Sequence, residues 1–139
     1  MPVNRKRDAT RGSGYEKRIK LLWEKEGYLV HRAQRAAVFL GPGRMFSRRV
    51  DLFGSFDLAG LRRGLPVRLA QVGTLTNRSH KREQIEPALA YVDPSDGRTL
   101  VEIWSWGKYR DEGYGFLREV YTSEGWKLAG FVPSKEVPR

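Results

Sequence analysis

One interruption constrains the fold more than any other feature. Between residues 50 and 132, strand-like segments separated by polar turns surround one stretch of different period, residues 81–91. There Ile85, Leu89 and Val92 fall on one stripe at helical spacing. Strand-like segments precede it at 50–59 and 65–72 and follow it at 99–106, 114–121 and 126–132. Gly60-Leu61-Arg62-Arg63-Gly64 joins the first two as an antiparallel hairpin, and Asp93-Pro94-Ser95-Asp96-Gly97 is a strong turn. Pro87 is awkward inside the helix and predicts a later start or a kink.

Upstream, Tyr15, Ile19, Leu22 and Glu26 form a helical stripe with Trp23 beside it, predicting a helix over 15–26. Ser13 is a suitable N-cap and Gly27 a suitable stop. A strand over 28–33 follows, then an apolar piece at 36–40, a break at Gly41-Pro42-Gly43 and a basic loop with Arg44, Arg48 and Arg49. The order α-β-β-β-α-β-β-β predicts an α+β protein in which a mixed central β-sheet is flanked by helices. Residues 1–11 read as a flexible basic arm, 12–132 as a single domain and 133–139 as a short tail.

Charge narrows the function. Lysine and arginine number 26 against 16 acids, a net charge of +10, and arginine supplies 18 of the 26. Arginine forks match phosphate geometry, and an excess of this size points to a polyanion, most often nucleic acid. The alternative is a set of solvated surface charges. The chain has no cysteine, which excludes disulfides, thiolate nucleophiles and cysteine zinc sites and fits a reducing, cytoplasmic setting. No apolar run is long enough for a membrane span, and the basic N-terminus lacks the apolar stretch of a secretory signal. No P-loop, G-x-G-x-x-G or H-E-x-x-H motif occurs, and His31 and His80 do not suggest a metal pair.

Two polar residues stand where strands call for apolar ones. Asp57 lies between Phe56 and Leu58, and Gln71 shares a strand face with Val67 and Leu69. A hairpin centred near Gly64 sets them opposite one another, where an acid and an amide oxygen can share one hard cation. Each also has a plainer reading: Asp57 as a turn cap or arginine partner, Gln71 as the partner of a buried backbone group. Glu16 is the third candidate. Ser13-Gly14-Tyr15-Glu16 has the form of a capping box, in which Glu16 reaches back to the Ser13 N–H; alternatively its carboxylate completes a metal site.

Arg11-Gly12-Ser13-Gly14-Tyr15-Glu16-Lys17-Arg18, the strand that follows, Phe56-Asp57-Leu58, Gln71 two strands on, and a helix after it resemble the PD-(D/E)xK nuclease superfamily. Within it the likeness is to archaeal-type Holliday junction resolvases, over about residues 11–92. The resemblance implies a restriction-endonuclease-like core and a homodimer that binds four-way DNA junctions in recombination and hydrolyses phosphodiesters with Mg²⁺, for which Mn²⁺ can substitute. It assigns catalysis and metal binding to Glu16, Asp57 and Gln71, the last standing where most of the family has a second acid. Gly73 stands where the family has its catalytic lysine; Lys81, Arg78 and Arg68 are the candidates to supply that charge. A relative without that lysine acting purely as a DNA-binding module is the alternative. The DNA-binding residues expected are Arg5, Lys6, Arg7 and Arg11 in the arm, Arg44, Arg48 and Arg49, and Arg78, Lys81 and Arg82. Eight aromatics from Trp104 to Phe131 suggest core and dimer packing, with base stacking by Trp104, Trp106 and Trp126 as the alternative.

Overall fold

The computed structural model describes the backbone of residues 5–139 and the side-chain surroundings of residues 14–34, 42–43 and 51–139. Helix α1 spans Arg5–Lys25. It begins ten residues before the expected start, so Ser13 is inside the helix and the capping box does not form. The Arg, Lys and Ala of its first two turns favour helix, and this outweighs the cost of about 1 kcal/mol for each of Gly12 and Gly14. Arg5, Lys6, Arg7 and Arg11 are therefore helical residues, not part of an extended arm; their side chains lie outside the described residues. Gly27, at φ +95°, ends the helix in a conformation that suits glycine.

Strand β1 (Leu29–Arg32) leads into a separate hairpin of β2 (Gln34–Gly41) and β3 (Arg44–Val50). The basic loop expected at Arg44, Arg48 and Arg49 is thus a strand, because antiparallel pairing with β2 fixes its backbone across Gly43. The strand expected over 50–59 is interrupted as well. Phe53 and Gly54 both take positive φ and fold residues 51–57 into a turn closed by a Leu52–Phe56 bridge. Strand β4 (Leu58–Leu61) starts only after it.

Next come β5 (Val67–Thr74), helix α2 (Arg78–Leu89), β6 (Thr99–Lys108), β7 (Tyr114–Thr122) and β8 (Gly125–Pro133). Helix α2 starts earlier than expected, and Pro87 is accommodated in its last turn. The main sheet has six strands in the order β1-β4-β5-β6-β7-β8. All pairs are antiparallel except β5–β6, which α2 connects as a crossover. No helix among the described residues is long and apolar enough to cross a membrane.

Alternation along the strands divides the core into two layers. On one face Ile19 and Trp23 of α1 cover Leu58, Ala70, Val72, Trp104 and Phe116. On the other, Ile85 of α2 covers Phe56, Leu69, Val101 and Ile103. The C-terminal aromatics are largely absorbed within the chain: Trp104 and Phe116 are buried, Trp106 stacks on Tyr15 at 5.4 Å and Tyr109 on Phe131 at 5.5 Å. Tyr114, by contrast, is exposed. The expected tail is also folded. Val137 enters the α1-side core, and Arg18 donates to the carbonyls of Ser134, Val137 and Pro138. Burial, then the charge of Arg139, hold the Arg18 guanidinium below its ordinary pKa.

Candidate active site

The hairpin register pairs Leu58 with Ala70 and ends there; the Asp57 N–H bonds the carbonyl of that same Ala70, so Asp57 and Leu58 both stand against Ala70 and the expected pairing of Asp57 with Gln71 is not part of the ladder. The backbone of Asp57 is bonded on both sides: its N–H donates to the Ala70 carbonyl and its own carbonyl accepts from Ala33, both at 2.8 Å. Its carboxylate Oδ2 accepts the Val72 N–H at 2.8 Å. That N–H lies where the chain of residues 51–56 has turned away, so the carboxylate replaces a missing strand neighbour. This is one source of its near-complete burial.

Gln71 is fully buried on the α2 face, between Ala70 and Val72, which face α1. Its Nε2 donates to the Ser55 carbonyl, and its Oε1 accepts from Lys81 Nζ at 3.1 Å. Lys81 reaches it across Gly73: a Cβ at position 73 would lie 2.8 Å from Lys81 Cε. The absence of a side chain at Gly73 and the reach of Lys81 are therefore two halves of one arrangement. A primary amine enters from α2 over the position where the strand itself offers none. Of the three candidate cations, Lys81 alone is bonded to Gln71 in this way. Arg68 is on the α1 face, where its guanidinium forks onto Glu102 at 2.8 and 2.6 Å and lies 4.1 Å from the Trp23 ring centroid. Burial opposes the charge of Arg68, but Glu102 and Glu26 more than offset it and raise its pKa.

Arg78 and Arg82 also turn toward the sheet. Arg82 donates to Glu119 Oε2, and Arg78 approaches Glu119 Oε1 at 3.9 Å. Glu119 is only 4% exposed, and its Oε1 lacks a hydrogen-bond partner among the described residues, as does Ser105 Oγ on the neighbouring strand. The register sets Gln71 beside Ile103 and Ile103 beside Glu119, with Gly73 beside Ser105 one step further along. A polar strip thus runs beneath the N-terminal half of α2. Sequence reading missed Glu119 and Ser105, although a polar residue on the inward face of an otherwise apolar strand was the available signal. The first turn of α2 contains no acid, so Arg78 and Lys81 add to the positive end of the helix dipole. This arrangement opposes helix stability and concentrates positive potential above Gln71.

Glu16 is buried on the α1 face, where Arg32 Nε donates to its Oε2 at 3.1 Å. Arg32 pairs with Leu58, so Glu16 comes to the same end of the sheet as Asp57 but to the side facing away from Gln71 and Lys81. The structure thus brings Lys81 to Gln71, holds the Asp57 carboxylate on the Val72 N–H, and pairs Glu16 with Arg32 on the α1 face. Among the described residues no three His, Asp or Glu side chains gather as a metal-holding group. Compared with known proteins, the chain matches no family model, no curated protein and no solved structure.

Proposed function

We propose that the chain is a metal-dependent DNA endonuclease of the PD-(D/E)xK type, acting inside the cell on branched DNA, with four-way junctions as the leading substrate. One observation carries the reading: Lys81 Nζ lies over Gly73 and bonds the amide of Gln71, whose neighbour Val72 donates its N–H to the Asp57 carboxylate. An amide oxygen and an amine are thereby brought together, with the amine supplied from the helix, and the reading adds the carboxylate of Asp57 in the chain order the resemblance anticipates. The net charge of +10 supports a phosphate-rich substrate.

The donor set suits Mg²⁺. Asp57 and Gln71 offer only oxygen, and a site with one carboxylate relies on water and substrate phosphate oxygens for its remaining ligands, as Mg²⁺ sites commonly do. When bound, the ion would lower the pKa of a coordinated water and neutralise phosphate charge. The protein groups supply the rest. Gln71 is held by its bond to the Ser55 carbonyl, so its oxygen has a fixed direction. Lys81 offers an ammonium to an anionic phosphate oxygen or orients the attacking water. Arg78 and Arg82 hold Glu119 and keep positive charge at the rim. A homodimer would present two such sites to the two strands that junction resolution must cut.

The ion pair of Glu16 with Arg32 favours a second reading, a DNA-binding module without cleavage, because it withdraws one expected metal ligand. Incubating the chain with a labelled four-way junction and a matched duplex, with Mg²⁺ and with EDTA, separates the two. Junction cleavage that EDTA abolishes supports the nuclease. Tight binding without cleavage supports the module, and binding of neither DNA refutes both.

A further inference from the structure

At the other end of the α2 face from Gln71 and Lys81 is a cleft of about 640 Å³, lined by Phe53, Phe56, Leu69, Pro87, Ala88, Tyr91, Val92 and Thr99. Its volume is in the range of ligand sites, roughly 300–1,000 Å³. Two of its aromatics are almost wholly in solvent: Phe53 is 83% exposed and Tyr91 91%. Phe53 is held at φ +54°, a conformation that bulky residues rarely adopt, so the turn displays its ring at an energetic cost.

The charge around the cleft is opposite to that of the chain. Six of the eight lining residues come from segments 51–57 and 83–97. Residues 83–97 carry four exposed acids (Glu83, Glu86, Asp93 and Asp96) and no lysine or arginine, in a chain of net charge +10. Glu86 and Asp93 adjoin the lining residues Pro87 and Val92 and are exposed. Hydrogen bonds from Ser95 hold the Asp93 carboxyl below its ordinary pKa. Arg98, next to Thr99, and Arg68, next to Leu69, are the nearest cations in sequence, and Arg68 lies on the α1 face against Trp23. Acids at the rim repel phosphate, which disfavours nucleic acid here. A two-fold contact centred on the cleft would bring two acidic rims together.

We propose that this cleft docks a protein segment that inserts an apolar side chain between Phe53 and Tyr91 and flanks it with lysine or arginine. Exposed aromatic faces next to carboxylates favour such a cation-bearing segment by cation–π contact and charge together. The site is independent of the proposed nuclease centre, since its residues belong to the C-terminal half of α2 and the turn before Asp57.

The test pans a phage-displayed random peptide library on the full chain and measures the selected peptides by fluorescence anisotropy. Two double variants serve as controls: Phe53→Asn with Tyr91→Ser, and Glu86→Lys with Asp93→Asn. All four positions are exposed, and asparagine tolerates the positive φ of residue 53. Selected peptides should combine an aromatic or aliphatic residue with Lys or Arg. Each double variant should weaken them at least tenfold, while the melting temperature and any junction cleavage stay at the parent level. The proposal is overturned if no peptide is selected, if the peptides lack positive charge, or if the variants bind them equally. It is also overturned if a DNA duplex competes for the cleft, or if sedimentation shows a self-association that the variants abolish.

Discussion

At the scale of single residues, the site turns on Gly73 and Lys81. The extra atom of Gly73→Ala meets only the flexible end of Lys81, so stability should change little while the amine is pushed off Gln71. Lys81→Ala should reduce cleavage of a junction by about 10²-fold or more, the usual scale for a preorganised charge at a reacting centre, and leave junction binding within a few-fold of the parent. The swap Gly73→Lys with Lys81→Ala returns the amine to the strand and should recover part of the lost rate. Single-turnover cleavage assays read all three, and full activity in Lys81→Ala would remove the residue from the chemistry. Asp57 has two roles, since its carboxylate also satisfies the buried Val72 N–H. Asp57→Ala should therefore cost about 1–3 kcal/mol of stability as well as activity, measurable by urea denaturation. Asp57 and Gln71 were legible as polar intruders among apolar residues, but the register between them was not, because the turn before Asp57 sets its N–H on the Ala70 carbonyl. The choice of Lys81 over Arg78 and Arg68 was not legible, because it depends on how far α2 stands above β5 and on which face of the sheet each side chain takes.

At the scale of elements, helices were easier to place than their ends. The stripe of Ile19, Leu22 and Trp23 fixed α1, but the glycines at 12 and 14 masked its N-terminal two turns. Residues 50–59 show the opposite error: a continuous apolar period concealed a turn that exists because Phe53 and Gly54 take positive φ, which composition does not reveal. Helix α2 shows a local conflict between stability and function. Its Asn77 cap makes no side-chain hydrogen bond, and its first turn holds only neutral or basic residues. Ser79→Glu, at an exposed position in that turn, should raise stability by about 0.3–1 kcal/mol at low salt through the helix dipole. If the positive end of α2 meets phosphate, the same change should weaken junction binding several-fold. Thermal melting and filter binding on one preparation check both. A variant that is stabilised but binds DNA as well as the parent would place the phosphates elsewhere.

At the scale of the whole molecule, the sheet is closed on its α1 face by the last residues of the chain. Val137 is 3% exposed in that core, and Arg18 clasps the carbonyls around it. Val137→Ala should cost about 1.5 kcal/mol, the value of two buried methyl groups, and chemical denaturation should show it.

The charge is distributed on the same scale. The β2–β3 hairpin is a sheet of its own, paired with none of the six strands. Replacing Arg44, Arg48 and Arg49 with glutamine should leave the melting temperature close to the parent. If all three meet phosphates on a duplex arm, each contributes about −0.9 to the slope of log K against log salt, and the triple variant should flatten that slope by up to ~3. Junction binding titrated from low to physiological salt measures this directly. An unchanged slope would exclude the hairpin from the DNA surface and leave the basic first turns of α1 and the N-terminal half of α2 to bind it. The Lys81 site would then be approached from the α2 side of the sheet, with the acidic cleft at the other end of that face.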